Sequence, residues 1–220
     1  MVCVHNCLIR SLNAIHYYAP LVQSVDYVAF IGFARTWHKG VAHHHHSEEA
    51  YFFKKLQVRF GADAMVESQR EHDAFHAGLD RFDAYLTGLT GRESAFEGAK
   101  LLDIINEFAD VLVRHLHSEI PAILDLDRYG DDEAVGETWD QAVKAGISDV
   151  KLADFFDEIP FIAVAHDLKF EGGLHQNFPP MPKVVFWIVR NVLAQWNRSF
   201  WKFAPCHLSG IPRQAPEVVN

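Results

Sequence analysis

Histidine and glutamate occupy positions in this chain that helix periodicity would normally give to leucine. Four segments carry apolar residues at alternating steps of four and three, the spacing of a core-facing helical stripe. The first, over about residues 3–19, aligns His5, Leu8, Leu12, Ile15 and Ala19 before Pro20. The second starts near Asp26, aligns Phe30, Ala34, Trp37, Val41, His44, Glu48 and Tyr51, and exits at Gly61. The third, over about 64–88, aligns His72, His76, Leu79, Phe82 and Leu86. After TGLTGRES, the fourth aligns Leu101, Ile105, Phe108, Leu112, His115 and Glu119. Short connections favour an all-α, antiparallel up-and-down four-helix bundle. Each stripe is interrupted by groups that are costly to bury unless they are paired or bound to a cation.

The interruptions share a pattern. Aligning HHHHSEE at 43–49 with HLHSEI at 115–120 puts His44 with His115 and Glu48 with Glu119, each carboxylate four residues after its imidazole. On a helix that spacing stacks the two side chains on one face. Depth along the bundle selects the companions. With a first turn near residue 23, His44 lies 21 residues beyond it and His5 lies 18 before it, whereas His16 lies only seven away. At about 1.5 Å of rise per residue, His5 reaches the level of His44 and His16 does not. The same comparison brings His72, His76 and His115 into that layer. Five imidazoles and two carboxylates exceed one tetrahedral zinc site but suit two adjacent transition-metal ions with shared carboxylates. The mixed donors favour iron, then manganese, and disfavour calcium. The competing reading is a polar seam of hydrogen-bonded histidines and glutamates that holds no metal.

Other residues carry weaker signals. His44 is preferred to His45 on repeat alignment and seam position, while His45 can instead pack or orient a ligand from behind. Glu49 is read as a surface carboxylate or one that supports a ligand. His38, His43, His46 and His117 read as solvent-facing or at the end of the core. Pro121, two residues past Glu119, predicts a kink. Residues 127–220 read as a helical and loop extension that packs on or caps the bundle, residues 1–126. Within it GDDEAVGE reads as a loop, DVKLADFFDEIPFIAVAH as one or two helices and GGLHQNFPPMP as a linker. His166, Asp167 and Glu171 form its polar knot, the candidate catalytic or pocket group, with surface capping as the alternative.

Composition excludes several classes. A net charge of -9 with no Lys/Arg-rich block argues against nucleic acid. No apolar run reaches the ~18 residues of a membrane span. Three cysteines without zinc spacing suggest neither a metal-thiolate site nor a disulfide framework, which makes the cytoplasm the expected compartment.

With these residues in view, the chain resembles the hemerythrin-like, or HHE cation-binding, family over about residues 3–126. The matching stretches are VHNCLIR, HHHSEE, EHDAFHAGL and HLHSE, with EEAYFF, PFIAVAHDLKFEGG and WKFAPC most like fungal members. The resemblance implies two iron ions with a bridging oxo or hydroxo group. His72, His76 and His115 would hold one iron, His5 and His44 the other, with Glu48 and Glu119 bridging. It also implies dioxygen as partner. Glu119 departs from the oxygen-carrying members, which use a shorter aspartate five residues after the histidine. The function expected first is an oxidoreductase or oxygenase that activates dioxygen for an apolar organic substrate, since the aromatic extension could cover an open metal position. A reversible dioxygen carrier and an iron or oxygen sensor are the alternatives.

Overall fold

The computed structural model describes residues 1–61, 63–129, 132–149 and 152–213. Its bundle is built from α1 (Val2–Tyr18), α2 (Tyr27–Ser47), α3 (Phe53–Phe60), α4 (Val66–Gly88), α5 (Gly98–Asn106) and α6 (Ala109–Leu124). A π-helical turn, Glu48–Phe52, joins α2 to α3 so that the two run as one rod. Gly61 ends it with φ at 110°, a value that side chains rarely tolerate. The helix α1 packs on α2 and α6, α2 on α4, and α4 on α5 and α6, which closes a four-cornered bundle.

The stripes account for the core. Leu8, Leu12, Ile15, Phe30, Phe33, Trp37, Phe75, Phe82, Ile105 and Leu112 are all buried in one cluster, and each such side chain contributes about 1.5–3 kcal/mol of transfer free energy. The Trp37 indole N–H donates to the Leu8 carbonyl at 3.0 Å, so its polar edge is satisfied. The fourth stripe breaks at Glu107–Phe108 between α5 and α6, where the Phe108 ring turns inward against Trp37 and Phe82. It occupies the space opposite Gly78, where an added Cβ would lie 2.5 Å from Phe108 Cβ. Pro121 lies inside α6, which ends within the following turn.

The extension begins with α7 (Asp132–Asp149), followed by α8 (Leu152–Ala165), α9 (Lys183–Ile188), a π-helical turn at Val189–Leu193 and the short α10 (Ala194–Trp196). The loop expected over GDDEAVGE is therefore corrected: from Asp132 onward it is the first part of α7. Two glycines weaken the sequence signal there, but Val135, Trp139 and Ala142 form a stripe that packs with Phe52 in a second, smaller apolar cluster. Tertiary burial thus decides the helix. Where α7 crosses α2, a Cβ at Gly146 would lie 2.7 Å from Ser47 Oγ. The helix α8 lies on α1 and α2, with Phe161 against Gly40 and Phe33. The tail returns to the bundle through Trp201 and Phe203, and Phe203 meets Phe30 edge-on. Among the described residues no helix is long and apolar enough to cross a membrane.

Candidate metal centre

Polar side chains from α1, α2, α4 and α6 converge between the two apolar clusters. One group consists of His5, His44, Glu48 and Glu119 and a second of His45, Glu48, His72 and His115. In each, one ligand atom per residue lies within 4.8 Å of all the others. Glu48 belongs to both. It is the first residue of the π-helical turn, where the helix takes an extra residue per turn, a feature that recurs at functional sites.

Distances define the first group. His5 Nε2 lies 2.9 Å from His44 Nε2 and 3.1 Å from Glu119 Oε2, and His44 Nε2 lies 3.0 Å from Glu48 Oε1. In the second, His72 Nε2 is 3.0 Å from His115 Nε2 and 3.7 Å from Glu48 Oε2. The His45 ring sits 4.5 Å from that of His72 and 5.4 Å from that of His115.

Proton placement shows what these contacts lack. His72 Nδ1 donates to Glu49 Oε1 at 2.7 Å and His115 Nδ1 to Glu71 Oε2 at 3.0 Å. A carboxylate can only accept, so both Nδ1 atoms carry the proton and both Nε2 atoms of the neutral rings present lone pairs. Their 3.0 Å approach is therefore acceptor against acceptor. His5 is fixed in the same way, since its Nδ1 donates to the Leu116 carbonyl at 2.6 Å. Both oxygens of Glu48 and of Glu119, and Nε2 of His45, are buried without a hydrogen-bond partner. Such orphaned groups need an explanation, and lone pairs converging from four helices fit a cation between them.

Electrostatics agree. Burial, then the Glu119 carboxylate beside it, pushes the Glu48 carboxyl well above the usual range. Burial, then neighbouring imidazoles, pushes His44 and His45 well below theirs. Burial also lowers His72, although the Glu49 bond opposes it. Burial thus favours the neutral form of these three imidazoles, the form that ligates metal.

Six of the seven residues expected as ligands meet here: His5, His44, Glu48, His72, His115 and Glu119. His76 does not. Its side chain is 51% exposed, it stacks on Phe75, and its Nε2 lies 4.0 Å from Glu49. The buried stripe of α4 runs through Ser68, His72, Phe75, Leu79 and Phe82, and His76 falls beside it. The third imidazole of the second group comes instead from His45, which is buried, as Val41 and Glu48 are on the same face. Glu71, held by Ser118 Oγ at 2.9 Å, gave no signal in the sequence because its partner His115 is 44 residues away.

His166, Asp167 and Glu171 lie outside both groups. The His166 ring bonds the His175 carbonyl at 2.8 Å, Asp167 pairs with Arg10 at 3.1 Å and accepts from the Lys169 N–H, and Glu171 pairs with His175. These contacts belong to the turn after α8. Cys3, Cys7 and Cys206 are free and buried. A surface pocket of about 480 Å³, lined by His46, Glu49, Ala50, Lys54, Gln69 and Asp73, opens beside the second group. Among the described residues, its polar lining takes nothing from the extension.

Residues 4–124 match the Hemerythrin HHE cation binding domain. The chain belongs to that family. It is also 32% identical over 213 residues to the "Dimeric xanthone biosynthesis cluster protein R11" of Cryptosporiopsis sp. (strain 8999), an alignment covering 96% of this chain and 79% of that protein. The likeness to that protein thus extends well past the hemerythrin bundle into the extension. No solved structure matches the chain. As a hemerythrin-fold protein with two clustered His/Glu groups, it is capable of coordinating a binuclear metal centre.

Proposed function

We propose that the chain is a non-haem di-iron protein that binds and activates dioxygen, an oxidoreductase or oxygenase acting on an organic substrate. The observation that carries this reading is the meeting of bare imidazole nitrogens and unpartnered carboxylate oxygens around two adjacent positions. His5, His44 and Glu119 would hold one ion, His45, His72 and His115 the other, with Glu48 reaching both. Iron in these positions would supply the electrons that reduce dioxygen. Burial keeps His44, His45 and His72 neutral, the Nδ1 bonds fix the rings of His5, His72 and His115, and bulk water is excluded, since His72, His115 and Glu119 are fully buried. The fungal relative named for dimeric xanthone biosynthesis supports a biosynthetic enzyme with an aromatic, apolar substrate.

The donor set favours one second reading, reversible dioxygen carriage, because five imidazoles face only two carboxylates, whereas ferritin-like di-iron proteins use more carboxylates. The two separate in one experiment. The protein is loaded anaerobically with two ferrous ions per chain and exposed to dioxygen, and oxygen uptake and iron oxidation state are followed through an argon purge. Irreversible oxygen consumption with ferric product is the expected result. Recovery of ferrous protein and free dioxygen would establish the carrier instead, and failure to retain iron would remove both.

A further inference from the structure

We propose that the two metal positions are unequal in strength, and that Glu49 and Glu71 make the one at His45, Glu48, His72 and His115 the tighter. The inference rests on the reading that both groups bind cations, and adds which fills first and why. The difference lies behind the rings. His72 and His115 each donate Nδ1–H to a carboxylate, Glu49 at 2.7 Å and Glu71 at 3.0 Å. His5 in the other group donates to a neutral backbone carbonyl, that of Leu116. A negative acceptor behind an imidazole draws the Nδ1 proton outward and raises electron density at Nε2, which strengthens its bond to a metal. A carbonyl does this more weakly.

Donor type points the same way. The tighter position offers three imidazoles and one carboxylate, the other two of each. Divalent ions of the later first row favour nitrogen donors over carboxylate oxygen. The extra carboxylate of the His5 group is offset by the two anionic groups behind His72 and His115, which supply charge without occupying a coordination position. Glu71 is further fixed by the hydroxyl of Ser118, and Glu49 stands on the π-helical turn beside Glu48. Glu49 and Glu71 are positioning residues here, since neither belongs to the two ligand groups.

The test is an anaerobic titration of the metal-free full-length chain with cobalt(II), followed by its visible bands and by calorimetry. Wild-type protein is expected to bind in two resolved steps. His5→Ala should remove the weaker step and leave the tighter one. Glu49→Gln keeps a carbonyl to accept the Nδ1 proton but loses the charge. It should weaken the tighter step about 10- to 100-fold and leave the weaker step within about twofold. Glu71→Gln should do the same, and circular dichroism confirms that each variant is folded. A selective shift of one step is what a general structural defect would not produce. Two equal sites in wild-type protein, or glutamine variants that shift the His5-dependent step or neither step, would overturn the inequality while leaving the di-metal reading intact. Absence of bound cobalt would overturn both.

Discussion

Replacing Glu48 by glutamine should reverse the sign of its effect when metal is added. In the metal-free chain the Glu48 carboxylate is 2% exposed, both its oxygens lack hydrogen bonds and the Glu119 carboxylate adjoins it. Burial and the adjoining carboxylate disfavour its ionised form, and an uncharged amide at this position avoids that cost. The side-chain amide introduced by the substitution brings two N–H donors to a site rich in bare acceptors, the Nε2 atoms and the Glu119 oxygens. Each satisfied acceptor recovers about 1–3 kcal/mol of desolvation cost. For a domain of this size about 1 kcal/mol moves the melting temperature by ~2–4 °C, so satisfying one such acceptor should make metal-free Glu48→Gln melt roughly 2–12 °C above metal-free wild type. With metal the order inverts. Saturation at about 100 times Kd stabilises each site by ~2.7 kcal/mol, so two sites give wild type a rise of roughly 10–20 °C. The variant, missing the one ligand common to both groups, should gain little. The assay is thermal unfolding by circular dichroism, with chelator and with two equivalents of ferrous ion under argon. If Glu48→Gln lowers the metal-free melting temperature, and metal leaves wild type unchanged, the cluster is a self-sufficient hydrogen-bonded seam.

Three further outcomes are expected. His45→Ala should lose about one of two bound metal ions and His76→Ala none, as counted by elemental analysis; the opposite result would restore His76 as the third imidazole. Acidifying metal-free protein from pH 7.5 to 5.5 should lower its urea midpoint. His44, His45 and His72 sit below their ordinary 6.5, so their contribution is present above that value and is lost as pH falls through the lowered ones. Glu48, raised above 4.5, contributes in the opposite sense, with stability lost as pH rises, but it is one carboxyl against three imidazoles. A higher midpoint at pH 5.5 would refute the sum. Gly78→Ala should destabilise by about 1–3 kcal/mol through overpacking, because its Cβ would meet Phe108 at 2.5 Å. Gly88→Ala, with nothing within 4 Å, serves as the control in the same denaturant titration.

Much of the bundle is legible in the sequence because four long stripes repeat one period, and a buried histidine or glutamate in such a stripe is conspicuous. His5, His44, Glu48, His72, His115 and Glu119 were visible for that reason. The expectation that His76 joins the ligand layer turns on angle, and the structure leaves its side chain half exposed beside the layer. Residues four apart on a helix differ by about 40° around its axis, so both members of the His72 and His76 pair can fit a stripe drawn with tolerance. His72 turns inward against His115 and Phe53, while His76 stays 51% exposed. His44 and His45 are about 100° apart, and both enter the centre because α2 presents its tip between α1 on one side and α4 on the other. Glu71 and the helix at α7 depend on contacts with distant segments, the first with His115 and the second with Phe52. No local pattern encodes either.

The ligand layer divides the interior. On one side lies the large cluster around Trp37, Phe82 and Leu112, on the other the small one around Phe52, Phe53, Leu56 and Ala142. Continuous apolar contact is what makes a domain unfold as a single unit, and here that continuity is interrupted by neutral imidazoles and lone carboxylates. Without a cation the two compartments meet across the layer through rings, with His72 touching Phe53 on one side and Phe75 on the other. With it, side chains from both faces of the layer share common bonds. A metal bound there would also tie the two compartments into one cooperative unit.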